Sequence, residues 1–198
     1  YYNATCSITN ACTCSNTLNY KFDLLNYFIL IINMKIAISG PMGSGKTTIA
    51  NLIIKSNSEY KIYSFGGKIK EIAYDLFNMN KNIKDRSLLI NIADKMRDID
   101  QDIWAKYIVK QIDNNKYCII DDLRFQNELD ILEKDDDWIY IILQIDEQTR
   151  LNRLKSLYTD NYDDHIKNMK HLSEQGNLQF KNKRKVLYIN SGDSLDNI

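Results

Sequence analysis

The sequence from Lys35 to Thr47 reads KIAISGPMGSGKT, and it decides the fold. An apolar strand is predicted over Ile36–Ile38, followed after the loop by a helix over Thr47–Lys55 whose apolar face holds Ile49, Leu52 and Ile53. The loop between them matches the pattern G-x-x-x-x-G-K-[ST] at Gly40, Gly45, Lys46 and Thr47. Three of the seven glycines and the only proline of the chain fall in this loop, which strengthens the match.

A loop of this kind is expected to bind the phosphates of ATP. Glycine lets backbone N–H groups turn inward, and the following helix N-terminus adds partial positive charge. Lys46 is expected to reach the β- and γ-phosphates, and the Thr47 hydroxyl to bind Mg²⁺. The predicted nucleotide-binding residues are Gly40, Gly43, Ser44, Gly45, Lys46, Thr47 and Thr48. The alternative is a glycine turn without a ligand, and the strand and helix on either side argue against it.

A second acidic motif follows an apolar strand at Tyr117–Asp122, which reads YCIIDD. At the carboxyl edge of a parallel sheet, a carboxylate beside the phosphate loop completes the Mg²⁺ shell directly or through water. The pattern does not separate Asp121 from Asp122. Both are therefore predicted as metal ligands together with Thr47.

The remaining sequence alternates strands with helices. Strands are predicted at 62–65, 138–145 and 186–189, and helices at 68–77, 85–96, 102–112, 124–134 and 147–157. This alternation predicts an α/β fold, a P-loop three-layer sandwich with a parallel sheet covered on both faces. A small GTPase would carry N-K-x-D after a strand, and this sequence has none. Helicases and AAA-type machines are usually longer and more basic, so a compact kinase of small molecules is expected. Residues 194–198 stand where a closing helix would begin, so the domain is expected to continue further.

Composition narrows the classes of partner. The chain has 198 residues, and its 26 Lys and Arg residues are balanced by 26 Asp and Glu residues, for a formal net charge of +0. A general nucleic-acid binder needs surplus positive charge, so no nucleic-acid partner is predicted, although a local base-reading patch stays open. No apolar run has the length that a membrane span needs. We expect a small-molecule nucleotide as the substrate.

Residues 1–33 differ from the rest of the chain. They carry Cys6, Cys12 and Cys14 and contain no Gly or Pro. The pattern of a complete domain start begins only after them, at Met34. We interpret them as an unstructured or non-native extension and residues 34–198 as the kinase domain. Cys118 is the one cysteine outside this stretch, and it lies in an apolar run. This cysteine usage predicts a reducing, cytoplasmic location.

Four further stretches resemble the deoxynucleoside monophosphate kinase family of phages and large DNA viruses. They are Phe65–Glu71 (FGGKIKE), Asp100–Trp104 (DQDIW) after Arg86 and Arg97, the set Asp122, Arg124 and Glu128 (D-x-R-x-x-x-E), and the set His171, Ser173 and Glu174 (H-x-[ST]-E). The resemblance spans roughly residues 34–192. It implies a nucleoside monophosphate kinase fold with a lid at about 147–180, and a viral enzyme of deoxynucleotide metabolism in the host cytoplasm. Gly66 and Gly67 replace the Ala and Pro common in that family, which leaves the substrate open.

The expected reaction is ATP-dependent phosphorylation of a (deoxy)nucleoside monophosphate to the diphosphate. It joins two anions, so cations must hold both phosphates in line. Lys70, Arg97 and Arg124 are predicted to grip the acceptor phosphate. Glu128 is predicted either to hold the Arg124 guanidinium in position or to contact the sugar of the substrate. In the resemblance, His171, Ser173 and Glu174 form a substrate or lid loop.

Arg150 and Arg153 are three residues apart on one face of a predicted lid helix. We expect them to act with Lys46 as catalytic residues that stabilise the transferred phosphoryl group, as an arginine finger does. Arg86 is expected to be structural, and Trp104 and Tyr63 to pack in the core. For each of these cations, a surface ion pair remains the alternative.

Two other functions stay open. Phosphomevalonate kinases have a similar D-x-R and S-E pattern, which would make the acceptor a non-nucleotide monophosphate. A regulator that binds nucleotide without turnover is the other alternative. The intact Lys46 and Thr47, the acidic strand end and the arginine pair argue against the regulator. The sequence predicts neither the preferred base and sugar nor the oligomeric state.

Overall fold

A parallel sheet lies at the centre of the fold. The computed structural model describes residues 34–112 and 115–192, and the predicted extension at 1–33 lies outside them. Within these residues five strands form one sheet in the order β2-β3-β1-β4-β5, with every neighbouring pair parallel. The strands are β1 (Lys35–Ser39), β2 (Lys61–Tyr63), β3 (Cys118–Leu123), β4 (Trp138–Gln144) and β5 (Val186–Asn190).

Seven α-helices connect or follow the strands in the described part of the chain. They are α1 (Lys46–Ser56), α2 (Phe65–Phe77), α3 (Arg86–Ile99), α4 (Ile103–Ile112), α5 (Gln126–Leu132), α6 (Glu147–Leu157) and α7 (Tyr162–Lys167). Short 3₁₀ turns follow at Asn168–Lys170, Leu172–Glu174 and Lys183–Lys185. No helix described here is long and apolar enough to cross a bilayer.

The central strands are buried because helices cover both faces of the sheet. Ala37 packs in one cluster with residues of α2, α3 and α4, whereas Ile36 and Ile38 alternate with it and face the other side. Helix α1 packs on β1 and β3. Trp104 is buried in the cluster, and its indole N–H donates to the Ala93 carbonyl at 3.2 Å. The predicted α/β fold with a parallel, doubly covered sheet is confirmed.

Helix α2 begins earlier than its sequence predicts. The pair Gly66–Gly67 was expected to separate a strand ending at Phe65 from a helix starting at Lys68, but β2 ends at Tyr63 and both glycines lie in the first turn of α2. The reason is tertiary: the Asp122 carboxylate accepts hydrogen bonds from the N–H groups of Phe65 (2.8 Å) and Gly66 (2.7 Å). A Cβ at Gly66 would lie 3.1 Å from that carboxylate, so glycine permits the close approach.

Some residues of the predicted apolar faces are exposed. Leu52 is 42% exposed on α1, and Leu76 and Phe77 are 72% and 55% exposed at the end of α2. The apolar residues do recur with the helical period, but the neighbouring elements bury only part of each apolar helix face. Helix α7 and the three 3₁₀ turns were not predicted, because they are short and polar.

The phosphate loop lies where the connections leave the sheet in opposite directions. Strand β1 pairs with β3 on one side and with β4 on the other, with Ile36 opposite both Ile119 and Ile139. A crevice forms beyond the carboxyl ends of the strands at such a point, and ligands of open α/β sheets bind there.

Candidate active site

The loop Gly40–Gly45 joins β1 to α1 with a backbone that side chains would obstruct. Gly40, Gly43 and Gly45 have φ values of 148°, 79° and 91°, which L residues rarely adopt. A Cβ at Gly40 would lie 2.8 Å from Ser44 Oγ and 2.9 Å from the Leu143 carbonyl oxygen. The glycines of the sequence motif are therefore required by the shape of the loop itself.

Lys46 lies across this loop. Its ammonium group donates to the carbonyl oxygens of Gly40 and Pro41, both at 2.7 Å. Burial is the main cause that lowers the pKa of Lys46 well below its usual value, and the positive charge of Arg124 is the second. An anion bound beside the loop would stabilise the charged form of this lysine.

The residues around the loop fit a polyphosphate with Mg²⁺. A Cβ at Gly45 would meet no atom within 4 Å, so space is open beside the loop. Lys46, Thr47 and Thr48 border that space, and the last two are exposed. The Thr47 hydroxyl and a carboxylate of β3 are hard oxygen donors, which Mg²⁺ prefers.

The two carboxylates at the end of β3 have different environments. Asp122 accepts three hydrogen bonds at the start of α2, from Ser64 Oγ (2.7 Å) and from the two N–H groups described above. Within the described residues Asp121 accepts no side-chain hydrogen bond and borders the cavity. Burial, and then the neighbouring Asp122, raise the pKa of Asp121 to about 6. Both aspartates border the cavity, and the Asp122 carboxylate is the one engaged at the start of α2.

A single buried carboxylate connects the loop to three arginines. The Glu174 side chain is 0% exposed, and one of its oxygens pairs with Arg86 and with Arg124, the latter at 2.5 Å. Its other oxygen accepts from the Met42 N–H at 2.6 Å and from Arg150 at 3.1 Å. We call Arg86, Arg124 and Arg150 with Glu174 the arginine cluster. It places three guanidinium groups beside the phosphate loop.

Helix α6 packs against the same loop. Arg150 Nε donates to the Met42 carbonyl at 3.1 Å. Arg153 donates to the Gly43 carbonyl at 3.5 Å and to the Ser191 carbonyl at 2.5 Å. The Leu154 side chain lies 3.3 Å from where a Gly43 Cβ would be. Both predicted catalytic arginines of α6 are therefore beside the loop.

The loop lines one cavity of about 610 Å³ together with Arg86 and Arg124 of the arginine cluster and with Arg153. The cavity extends from the loop toward α2 and α3, which supply apolar walls. These walls are formed by Phe65, Ile69, Leu89, Ile90, Ala93 and Phe125. One space therefore combines a phosphate loop, several cations and an apolar surface.

A protein-family comparison agrees with this geometry. The family described as "AAA domain" matches residues 36–175, which is more than half of the chain and contains the loop, β3 and Glu174. The chain belongs to this AAA-domain family. No curated protein sequence is significantly similar to it.

A solved structure shares the fold of this AAA domain, and a second is similar over most of its length. A gluconokinase from Sinorhizobium meliloti 1021 superposes with a TM-score of 0.52 at 12% identity, over 84% of this chain and 87% of that one. A shikimate kinase from Aquifex aeolicus superposes with a TM-score of 0.41 at 12% identity, over 83% and 90%. The first likeness shows that the AAA domain has a kinase-like P-loop fold.

The far wall of the AAA domain's cavity is held by a second set of ion pairs. Arg97 donates to Asp94 at 3.2 Å, lies 3.5 Å from Glu128, and stacks over the Phe125 ring at 4.0 Å. Glu128 accepts from the backbone N–H groups of Arg124 and Phe125, both at 3.0 Å, and so caps α5. Burial raises the pKa of Glu128 to about 7. Arg97 and Glu128 line the cavity but do not join the arginine cluster.

His171 and Ser173 position the segment that carries Glu174. His171 Nδ1 accepts from the Ser173 N–H at 3.2 Å, so Nε2 carries the proton that it shares with Asp94 at 3.1 Å. The Ser173 carbonyl accepts from Arg124 at 2.7 Å. The H-x-S-E motif of the AAA domain is thereby anchored to α3 and to the β3–α5 connection.

The structure adds two cations that the sequence did not place in the site. Arg86, expected to be structural, pairs with Glu174 and borders the cavity, and Lys84 borders it two residues earlier. Lys70 borders it from α2. No motif contains Lys84, and only its sequence proximity to Arg86 hinted at a role.

Two single substitutions, Asp122→Ala and Asp121→Asn, distinguish an effect on stability from an effect on nucleotide binding in the AAA domain. Asp122→Ala should lower the free energy of unfolding by about 2 kcal/mol, because the start of α2 loses its charged acceptor. Asp121→Asn should keep full stability, since it removes a carboxylate disfavoured by burial, yet weaken Mg²⁺-dependent nucleotide binding. Urea unfolding and calorimetry with and without Mg²⁺ measure both. Equal unfolding free energies for Asp122→Ala and wild type would contradict the capping role.

Proposed function

We propose that the protein is a Mg·ATP-dependent kinase that phosphorylates a (deoxy)nucleoside monophosphate to its diphosphate. The observation that carries the proposal is the single cavity in which the phosphate loop is joined to a second group of cations. A protein that binds a nucleotide without turnover needs only one phosphate-binding loop. Additional cations in the same cavity suit a reaction between two phosphates.

The donor phosphates are assigned to the loop and its neighbours. Residues Gly40–Thr48 would hold them, with Lys46 at the β- and γ-phosphates. Thr47 and Asp121 would hold Mg²⁺, which supplies charge neutralisation between the β- and γ-phosphates. Arg150 and Arg153 reach the loop from α6, where they can stabilise charge on the transferred phosphoryl group.

The acceptor phosphate is assigned to Lys70 and Arg124, two further cations that border the same cavity. The reaction forms a bond from an acceptor phosphate oxygen to the γ-phosphorus and breaks the bond to the β–γ bridging oxygen. The attacking oxygen is already ionised, so no general base is needed. This agrees with His171 being occupied in hydrogen bonds to Ser173 and Asp94.

The apolar walls favour an acceptor with a ring. Phe65, Ile69 and Phe125 provide aromatic and aliphatic surface against which a nucleobase can stack. Beside them, Asp94 and Arg97 offer an acceptor and a donor that can read a base edge. A small aliphatic phosphate would use these groups less well, so the cavity favours nucleotides over phosphomevalonate.

A coupled ADP-release assay tests this function with a panel of acceptors. The panel contains deoxynucleoside monophosphates, nucleoside monophosphates and phosphomevalonate, each with Mg·ATP. We expect turnover with at least one nucleoside monophosphate and none with phosphomevalonate. Turnover with phosphomevalonate alone would contradict the nucleotide assignment. ATP binding without turnover of any acceptor would favour a nucleotide-dependent regulator.

A further inference from the structure

Lys84 is a cation of the cavity that no motif explains. It lies in the connection between α2 and α3, is half-buried, and borders the cavity with Lys70, Arg86 and Arg124. Resting on the proposed function, we infer that Lys84 is a binding residue for the dianionic phosphate of the acceptor. It would act together with Arg86 and Arg124, which border the same cavity.

The backbone around Lys84 is held in place from two sides. The Lys84 carbonyl accepts from Asn161 Nδ2 at 2.5 Å, and the next residue, Asp85, caps α3 by accepting from the Leu88 N–H at 2.8 Å. The Arg86 N–H donates to Asp164 at 2.6 Å. Asn161 and Asp164 belong to the start of α7, so this segment aims Lys84 into the cavity.

The charges around Lys84 are mostly positive. Arg86, Lys70 and Arg124 act on it from α3, α2 and the β3–α5 connection, and His165 faces it from α7. The carboxylate that acts on it is Glu174, which already pairs with the three arginines of the cluster. In the described residues no carboxylate forms an ion pair with the Lys84 ammonium. The site is therefore short of negative charge, and a phosphate dianion would supply it.

Protonation supports the same assignment. Burial, and then the charges of Arg86 and Lys70, lower the pKa of Lys84 to about 7. A bound dianion would raise this pKa, because it stabilises the ammonium form. Binding must then take up a proton above neutral pH, and the affinity for a dianion should fall as the pH rises from about 7.

The test measures sulfate binding to the full chain saturated with Mg·ADP. Sulfate is a dianion that does not titrate near neutral pH, and bound Mg·ADP competes with it at the phosphate loop. Calorimetry compares wild type with Lys84→Met, Lys84→Arg and Lys68→Met. Lys68 is an exposed lysine of α2 paired with Glu71 outside the cavity, so it is the matched control.

Lys84→Met should weaken sulfate binding about tenfold or more, because a charged hydrogen-bond donor is lost, whereas Lys68→Met should bind as wild type does. Lys84→Arg should retain binding but show a weaker decline between pH 7 and 9, since arginine stays protonated. The remaining decline would come from Glu128, whose pKa is raised by burial to about 7 and which is unchanged in all variants. A thermal melt checks the fold of each variant, and Lys84→Arg provides the readout if Lys84→Met does not fold.

Two results would overturn the inference: equal sulfate affinity of Lys84→Met and wild type, or no sulfate binding by the loaded wild type. Neither result depends on turnover, so the outcome is independent of the acceptor panel. If sulfate binding depends on Lys84 but no monophosphate is phosphorylated, the anion subsite stands and the kinase proposal fails. If turnover occurs and its KM for the acceptor is unchanged in Lys84→Met, the kinase stands and this inference fails.

Discussion

Lys46→Ala should lower turnover about a hundredfold or more, because it removes a preorganised cation from the charge that develops in the transition state. The ammonium lies across the loop on the carbonyl oxygens of Gly40 and Pro41, which keeps it beside the position assigned to the donor phosphates. The fold should persist, since the lost side chain is a buried cation whose charge is disfavoured by burial. Steady-state ADP release and a thermal melt measure the two effects.

The matched control for this prediction is Lys55→Ala. Lys55 is an exposed lysine near the other end of α1, so its loss tests the general effect of removing positive charge from that helix. Turnover of Lys55→Ala should equal that of wild type. Near-normal turnover of Lys46→Ala would refute the assignment of the loop as the donor site.

Glu174→Ala should have the largest effect on stability. Removal of one partner from a buried ion pair costs about 3–5 kcal/mol, since the remaining charges stay buried without compensation. Here one carboxylate serves Arg86, Arg124 and Arg150 and also accepts from the loop at Met42. Urea unfolding at pH 7 measures the loss. Turnover should fall as well, because three guanidinium groups and the loop lose their common partner.

The control for Glu174→Ala is Glu71→Ala, an exposed carboxylate of α2 paired with Lys68, whose loss should leave stability nearly unchanged. Sulfate should restore part of the stability of Glu174→Ala, because an anion can take the place of the carboxylate among the arginines. Wild-type stability of Glu174→Ala in the absence of any added anion would show that the arginine cluster contributes nothing to the fold.

Acid should act on the same cluster. The arginines, Arg124 first, oppose the effect of burial and hold the pKa of Glu174 below its usual value. A carboxyl group with a lowered pKa in the folded state stabilises the protein above its unfolded pKa and loses that contribution as the pH falls. The difference in unfolding free energy between wild type and Glu174→Ala should therefore shrink toward low pH.

The arginine cluster also indicates how the site is prepared before substrate arrives. Guanidinium groups that already point at one buried carboxylate need little reorganisation to meet a phosphate nearby. Glu174 lies in a 3₁₀ turn that His171 and Ser173 anchor to α3 and to Arg124. The segment after α7 thus couples the cavity wall to the loop, although no helix of regular length contains it.

The donor side of the site could be predicted from local sequence. Thirteen consecutive residues contain the apolar strand, the glycines with unusual φ values, the lysine and the helix N-terminus. Little of this side therefore depends on distant parts of the chain. The alternation of apolar strands with amphipathic helices likewise predicts the parallel sheet. The functional roles assigned to the individual site residues stay predictions, to be tested by the variants described above.

The rest of the site depended on contacts between residues far apart in the chain. Asp121 and Asp122 are equivalent in sequence, and only the start of α2, some 56 residues earlier, distinguishes them. Arg86 and Lys84 belong to the site because α7 and the Glu174 segment fold against them, not because of any local pattern.

The sequence by itself determined the α/β class, the phosphate loop and the helix that follows it, because these depend on backbone conformation and on the period of apolar residues. Tertiary structure alone decided which cations share a cavity and which carboxylate holds them. Charge acts through space and is strengthened by burial, and neither distance nor burial can be read from spacing along the chain.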